Sequence, residues 1–294
     1  MMYDTYNQNK ELTEKGGQEM EQAAYTLPPP SPTKGPPVRV HILTGERYWY
    51  QAAFCLWSFA AASGRAVAPV IFDDGSLKLE HIEALKRTFP NLTFVGATES
   101  LEWLDAHLPD SHFPTLRAQH RVNPIYKKLL DIHVGQTEWR LQMDSDILFF
   151  RSPEFILKWY DSPQAQLYLY DIKNAYSASI DYLSELAGRP VLQRVNAGLL
   201  GIRSADIDWE QMEFWSKKLT AHGGSAHHVE QTLFALHLSD RECIYPDPKD
   251  YVLLPEPPEA IECKAVMHHY VAQARLWLLQ RNWRRFLGAN GLAQ

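Results

Sequence analysis

Two carboxylates one residue apart, Asp144 and Asp146 on either side of Ser145, interrupt an apolar run from Trp139 to Phe150. Their flanks predict one buried strand ending at the pair and a short second strand beginning after it. In an open α/β sheet, ligands collect at the carboxyl ends of the strands. Two acids held there repel each other unless a cation or a shared proton lies between them. A hard divalent cation held by one or two carboxylates completes its shell with substrate phosphates and water. The pair therefore predicts a metal-bound diphosphate substrate.

The elements that must position this pair are legible on both sides of it. Val38–Leu43 reads as a strand ending at Thr44 and Gly45, Tyr48–Ala62 as a helix apolar over most of its surface, and Ala66–Phe72 as a buried parallel strand. A helix capped by Ser76 and running to Phe89, a strand at Leu92–Val95 and helical spacing at Leu101–Leu108 follow. The helical pattern from Leu116 to Val134 is interrupted at Pro124. This alternation predicts an α/β fold whose mostly parallel sheet is doubly wound, with helices on both faces. Beyond Asp146 the strands become shorter, at Gln166–Tyr170, Ala197–Arg203 and Lys264–Tyr270, with helices at Trp209–Leu219 and Val229–Leu238 between them. The expected organisation is a single domain over 38–294: a nucleotide half (about 38–150), an acceptor half (about 151–272) with a smaller mixed sheet, and a C-terminal helix (about 273–288). Residues 1–37, polar and then proline-rich, read as a disordered tail.

Composition narrows the function. The 294 residues are 45% hydrophobic and 22% charged, enough for a full core, and the net charge of −6 argues against a nucleic-acid partner. Cys55, Cys243 and Cys263 form no zinc spacing or disulfide framework, and no stretch suits a signal peptide or a membrane span. The expectation is a cytoplasmic protein.

Four segments in order carry a resemblance: Asp144-Ser145-Asp146, the stretch Arg194–Arg203 containing Asn196-Ala197-Gly198, the pair Glu230-Gln231, and His269–Trp277. From Val38 to about Trp277 the chain resembles the GT-A-fold glycosyltransferases, most closely the retaining family 8 enzymes. That resemblance implies Mn²⁺ or Mg²⁺ held by Asp144, Asp146 and His269 together with the diphosphate of a nucleotide-sugar donor, expected to be UDP-linked. It places Arg275, where the family has lysine, on the phosphates, and Ala272 where the family often has glycine. Asn196, Glu230 and Gln231 fall beside the donor sugar, with Glu230 in place of the family's aspartate. Lys128, in Tyr126–Leu129, matches a helix cation that faces the donor. The implied acceptor is a glycan or another, lipid-linked acceptor, and the implied outcome is retention.

The residues also support readings of their own. The Thr44-Gly45 loop would hold the nucleotide, with Tyr48 either stacked on its base or buried in the core. Asp73 and Asp74 end the second strand on the same sheet edge, as ribose or base ligands or simply as a turn. His268 competes with His269 for the cation, since adjacent strand residues face opposite sides. The apolar face of the C-terminal helix, Leu276, Leu279, Trp283, Phe286 and Leu287 beside Arg281, Arg284 and Arg285, either packs on the sheet or makes a peripheral contact with an anionic membrane. The alternatives to a transferase are a catalytically silent nucleotide-sugar-binding protein of the same fold and an aspartate-dependent phosphatase.

Overall fold

A computed structural model describes residues 2–31 and 35–288. The chain begins with α1 (Met2–Tyr25), β1 (Val38–Thr44), α2 (Trp49–Ser63), β2 (Val67–Asp73), α3 (Leu79–Thr88), β3 (Thr93–Val95), α4 (Ala97–His107), α5 (Pro114–Val122) and α6 (Pro124–His133). It continues through β4 (Trp139–Met143), β5 (Ile147–Phe149), α7 (Glu154–Asp161), β6 (Gln166–Tyr170), α8 (Ile180–Ala187), β7 (Val195–Arg203), α9 (Trp209–His222) and α10 (Val229–Leu238). Last come β8 (Cys243–Ile244), β9 (Tyr251–Leu253), α11 (Glu259–Glu262), β10 (Met267–His269), α12 (Arg275–Gln280) and α13 (Arg285–Gly288).

Seven strands form the main sheet in the order β3-β2-β1-β4-β7-β6-β8, and a three-stranded sheet has the order β5-β10-β9. β3, β2, β1 and β4 are parallel, and β7 runs against both of its neighbours, β4 and β6. Strand order reverses about β1: β2 and β3 lie on one side, and the chain returns to set β4 on the other. Thr44-Gly45 and Asp144 thus leave adjacent strands at the same edge, the place where doubly wound sheets bind ligands. The helix pattern broken at Pro124 resolves into α5 and α6, with the Asn123 side chain capping the second through Ile125 N at 3.1 Å.

Apolar residues on alternate strand positions feed two cores. Val38, Val40, Ile42, Leu141 and Met143 pack with α2 on one face, and Leu200 and Ile202 with α6, α9 and α10 on the other. The small sheet is tied to the first core, since β5 packs against α2 and β10 pairs antiparallel with β5.

Two expectations are corrected here. The N-terminal tail contains helix α1 rather than disorder; only 32–34 of its proline-rich part lies outside the described residues. Met20, Ala24 and Leu27 recur on one face and are buried, and Gly16 lets α1 approach α12 so closely that a Cβ there would stand 2.2 Å from Leu279 O. Trp49 Nε1 donates to Glu21 at 3.2 Å, and Trp57 Nε1 to Pro28 O at 2.9 Å. A polar average hid this narrow apolar stripe, and the stripe needs α2 and α12 as partners to be worth ordering. The second correction is the C-terminal helix. It is a series of short pieces, α12 and α13 with 3-10 turns at Ala272–Ala274 and Asn282–Arg284. Asn282 Nδ2 donates to Ala260 O at 2.9 Å and to Tyr270 Oη at 2.8 Å, which fixes the break at Arg281. Trp283 lies edge-on to Phe54 and Phe286 to Trp57, so the apolar face is spent on the core rather than offered to a membrane. Among the described residues, no helix is long and apolar enough to cross a membrane.

Candidate active site

The end of β4 and the end of β10 meet at the aspartate pair. Asp144 N donates to Gly198 O at 2.7 Å, and Tyr270 N to Asp146 O at 2.9 Å, so the motif is pinned between β7 and β10. His269 pairs with Ile147 across the small sheet, which aims its ring at the carboxylates. Gly198 makes this possible, because a Cβ on it would lie 2.1 Å from His269 Cε1.

Each aspartate divides its two oxygens between a cationic side chain and His269. Asp144 Oδ1 accepts from Lys128 Nζ at 2.6 Å, while its Oδ2 lies 3.6 Å from His269 Nε2. Asp146 Oδ2 accepts from Arg275 Nε and Nη2 at 3.3 and 3.2 Å, and its Oδ1 lies 3.2 Å from His269 Nε2. Ligand atoms of Asp144, Asp146 and His269 all fall within 4.8 Å of one another. The His269 ring is buried, yet neither of its nitrogens makes a hydrogen bond. An orphaned imidazole facing two carboxylate oxygens fits a divalent cation in chemistry and in number of ligands. Without one, burial would lower the His269 pKa, but Asp146 and Asp144 outweigh it and hold the ring at about 9. Burial likewise opposes ionisation of Asp144, and Lys128 with His269 overcomes it, down to about 2. His268 faces away, to Glu259 at 2.7 Å and Tyr270 Oη at 3.0 Å, which decides between the two histidines.

A cleft of about 700 Å³ opens over this group. Its lining includes Thr44, Gly45, Tyr48, Asp74, Lys128, Ser145, Asn196, Glu230, Gln231 and Arg275, so thirteen of the fourteen residues singled out from sequence come together, counting Asp144, Asp146 and His269. Asp73 does not. Its Oδ1 accepts from Gly75, Ser76 and Leu77 N, and it serves the turn. Ser76 does not cap α3 either. It donates to Asp74 Oδ1, and the N-cap is Lys78.

Lys128 bridges Asp144 and Glu230 at 2.6 and 3.2 Å, so it is a buried site cation rather than a solvated helix face. Burial pushes the Glu230 carboxyl up to about 7; Lys128 partly offsets this and Asp144 adds to it. The Tyr48 ring sits 5.8 Å from Arg47 and 5.9 Å from Arg275. Asn196 does bond its own strand, accepting from Gly198 N at 2.9 Å, and its Nδ2 also donates to Asp171 Oδ2 at 3.0 Å. Gln231 accepts from Ala197 N at 3.2 Å and donates to Ala175 O at 2.9 Å.

Asp171 was missed by the sequence reading. It is buried, lines the cleft and lies within 3.4 Å of Gln231 Nε2 as well as bonding Asn196. Its signal was positional: Asp171 ends the strand Gln166–Tyr170 as Asp144 ends β4.

By sequence, no family model and no curated protein matches the chain. By structure, it is similar to the galactosyltransferase LgtC in complex with donor and acceptor sugar analogs, with a TM-score of 0.56 over 86% of this chain and 96% of that one, at 11% identity. The chain has a GT-A glycosyltransferase fold. Mouse xyloside xylosyltransferase 1 in its apo form superposes with a TM-score of 0.51 over 81% of this chain and 98% of its own, at 10% identity. The bifunctional glycosyltransferase WbbM gives 0.51 over 83% of this chain and 47% of its own, at 15% identity. The GT-A fold accounts for the layout: parallel strands deliver Thr44-Gly45 and Asp144 to one edge, and the small sheet brings His269 across to them.

Proposed function

We propose that the protein is a metal-dependent glycosyltransferase that moves a sugar from a nucleotide-sugar donor, UDP-linked, to a glycan acceptor with retention of configuration. The observation that carries this reading is the convergence of Asp144, Asp146 and the orphaned His269 at the switch edge of a GT-A sheet. These three residues would hold Mn²⁺ or Mg²⁺. A divalent cation there supplies neutralisation of the charge that develops on the departing diphosphate.

The remaining work falls to side chains. Arg275 is half exposed and shares Asp146, so it can turn its planar fork to the phosphates. Thr44, Gly45, Tyr48 and Asp74 line the end of the cleft suited to the nucleoside, and a Cβ at Gly45 would clash with Asp74 at 2.1 Å. Asn196, Gln231 and Asp171 present amide and carboxylate edges where the donor sugar would lie, tied to one another and so held in one geometry. Lys128 keeps Glu230 and Asp144 from repelling each other. Glu230 is paired with Lys128 and Asp171 is engaged by amides, so neither is a free base. Retention through a route in which the leaving phosphate takes the acceptor's proton requires none.

The phosphatase alternative loses its support, because its aspartate motif ends the first strand of a sheet and Asp144 ends the fourth. The membrane contact loses its surface, as Trp283 and Phe286 pack on α2. The test is calorimetric titration of UDP into metal-free protein, with and without Mn²⁺, repeated on Asp146→Ala. Binding that needs Mn²⁺ and disappears in the variant is the expected result, and binding indifferent to both would sink the reading. Hydrolysis of a UDP-sugar without acceptor then separates an enzyme from a silent binder.

A further inference from the structure

Away from the cation group the cleft changes sign. Its floor is acidic, with Asp144, Asp146 and Glu230 answered by Lys128 and Arg275. The wall formed by the end of β6 and the start of α10 instead carries Lys173, His227 and His228. Lys173 and His227 are exposed and His228 is half-buried. None of the three forms an ion pair among the described residues. Asp171, whose charge reaches His228, has its carboxylate engaged by Asn196 and Gln231. The rings of His227 and His228 stand 6.3 Å apart. Burial, then crowding by His227 and Lys173, push His228 below the usual imidazole range, so its ring stays neutral unless an anion comes beside it.

A free surface loop would relieve such crowding by spreading, but this wall is anchored. Asn123 Nδ2 donates to Ala226 O at 3.2 Å, and a Cβ at Gly224 would lie 2.0 Å from Ser177 O. Thr232 Oγ1 donates to His228 O at 2.7 Å while accepting from Ser177 N at 2.8 Å. On the β6 side, Asn174 Oδ1 accepts from Arg194 N at 2.7 Å. Lys173 follows Asp171 by two residues and His228 precedes Glu230 by two. Two residues span at most about 7 Å of chain. The basic wall therefore begins within about 7 Å of chain of the groups that face the reacting end.

We infer that this wall selects an acceptor carrying an anionic group, a phosphate or a carboxylate, on or next to the sugar that receives the transferred residue. This rests on the transferase reading and names its substrate class. A neutral glycan gains only ordinary hydrogen bonds from Lys173 and the two imidazoles, whereas an anion gains a charge-assisted bond from Lys173 and favours protonation of the rings beside it. Pro124, Ile125 and the exposed Ile172 flank the cations and would cover the apolar face of the sugar rather than its charge.

The experiment titrates full-length protein, with and without UDP and diamagnetic Mg²⁺, against glucose, glucose 6-phosphate, glucuronate and inorganic phosphate, following the imidazole proton signals by NMR. The titrations are repeated on a double variant, Lys173→Ala with His227→Ala, whose exposed side chains leave the fold and Mn²⁺-dependent UDP binding intact. The expected result is that both anionic sugars bind at least tenfold more tightly than glucose and that the double variant loses this preference. The stronger of the two identifies phosphate or carboxylate as the group recognised. Equal binding of all three sugars overturns the inference, as does a preference that survives the double variant. So does inorganic phosphate binding as tightly as glucose 6-phosphate, which would make the wall an anion site without a sugar. Wild-type protein that fails to bind UDP with Mn²⁺ would instead remove the transferase reading, and the titrations without nucleotide would still decide the wall.

Discussion

Two small residues decide the geometry of the site. Gly198 leaves the space that the His269 ring occupies, so Gly198→Ala must displace the ring from Asp144 and Asp146. Disturbing the support of a metal ligand costs roughly 10–100-fold in metal affinity. The expected outcome is a loss of that size in Mn²⁺-dependent UDP binding by calorimetry, with an unchanged circular dichroism spectrum; unaltered affinity would show that His269 is not a ligand. Ala272 adopts φ +49, a left-handed conformation that L residues resist. A glycine at this position would adopt the same backbone without that strain. Ala272→Gly should raise stability by about 0.5–1 kcal/mol after its entropic cost, read from the urea midpoint. A lower midpoint would mean that the surrounding cleft compensates the strain. Leu254, also on the cleft wall, has φ +51, so unfavourable backbone gathers where the site needs shape.

At the scale of elements, α1 and α12 form one unit that bears on Arg275. Gly16 meets the backbone of Leu279, and Gln280 Nε2 donates to Thr13 Oγ1 at 2.7 Å. Gly16→Ala must part the helices, and overpacking of this kind costs about 1–3 kcal/mol. Gly17 is the control: a Cβ there finds only Tyr50 Oη at 3.5 Å, ordinary contact. Gly17→Ala should be neutral or stabilising by up to about 1 kcal/mol through helix propensity. Urea unfolding of the two variants checks the contrast, and equal effects would show that α1 is not docked as described. Because α12 begins at Arg275, the Gly16 variant should also weaken UDP binding while the Gly17 variant should not.

The whole molecule carries imidazoles that folding keeps neutral. Burial lowers His41 to about 3, with Arg140 adding, and lowers His133 to about 3 against a hydrogen bond that its Nε2 donates to Gln142 Oε1. Both folded values lie below that of the unfolded chain, so between about 3 and 6.5 the unfolded state binds protons at these two rings that the folded state refuses, while Glu230, held at about 7 by burial, takes up a proton in the fold and works in the opposite direction. The contribution of the two rings is therefore full above about pH 6.5 and falls as pH drops through that window. At 1.36 kcal/mol per pH unit, each imidazole removes about 2 kcal/mol by pH 5. The difference in urea midpoint between wild type and His41→Gln should therefore change between pH 7 and 5, the wild type losing about 2 kcal/mol relative to the variant. A difference that does not change with pH would mean that water reaches the His41 ring in the folded state.

Much of this was written along the chain. Strand and helix order, the parallel half of the sheet and the aspartate pair follow from local periodicity and from acids placed at strand ends, which short segments carry by themselves. What needed the tertiary structure was every relation between distant segments. His269 rather than His268 faces the pair because β10 lies antiparallel to β5, a register that no stretch of residues encodes alone. Asp73 and Asp74 are neighbours of like chemistry, and only the turn decided that one serves the backbone and the other the cleft. The N-terminal helix eluded composition because its apolar stripe is narrow, and ordering it is favourable only once α2 and α12 supply the surface that it covers. The sequence by itself determined which side chains were available for chemistry, since type and local spacing are properties of the chain. The packing of the two sheets and α12 decided which of them share a charge, a proton or a ligand, because those couplings act across a few ångströms of space whatever the separation in sequence.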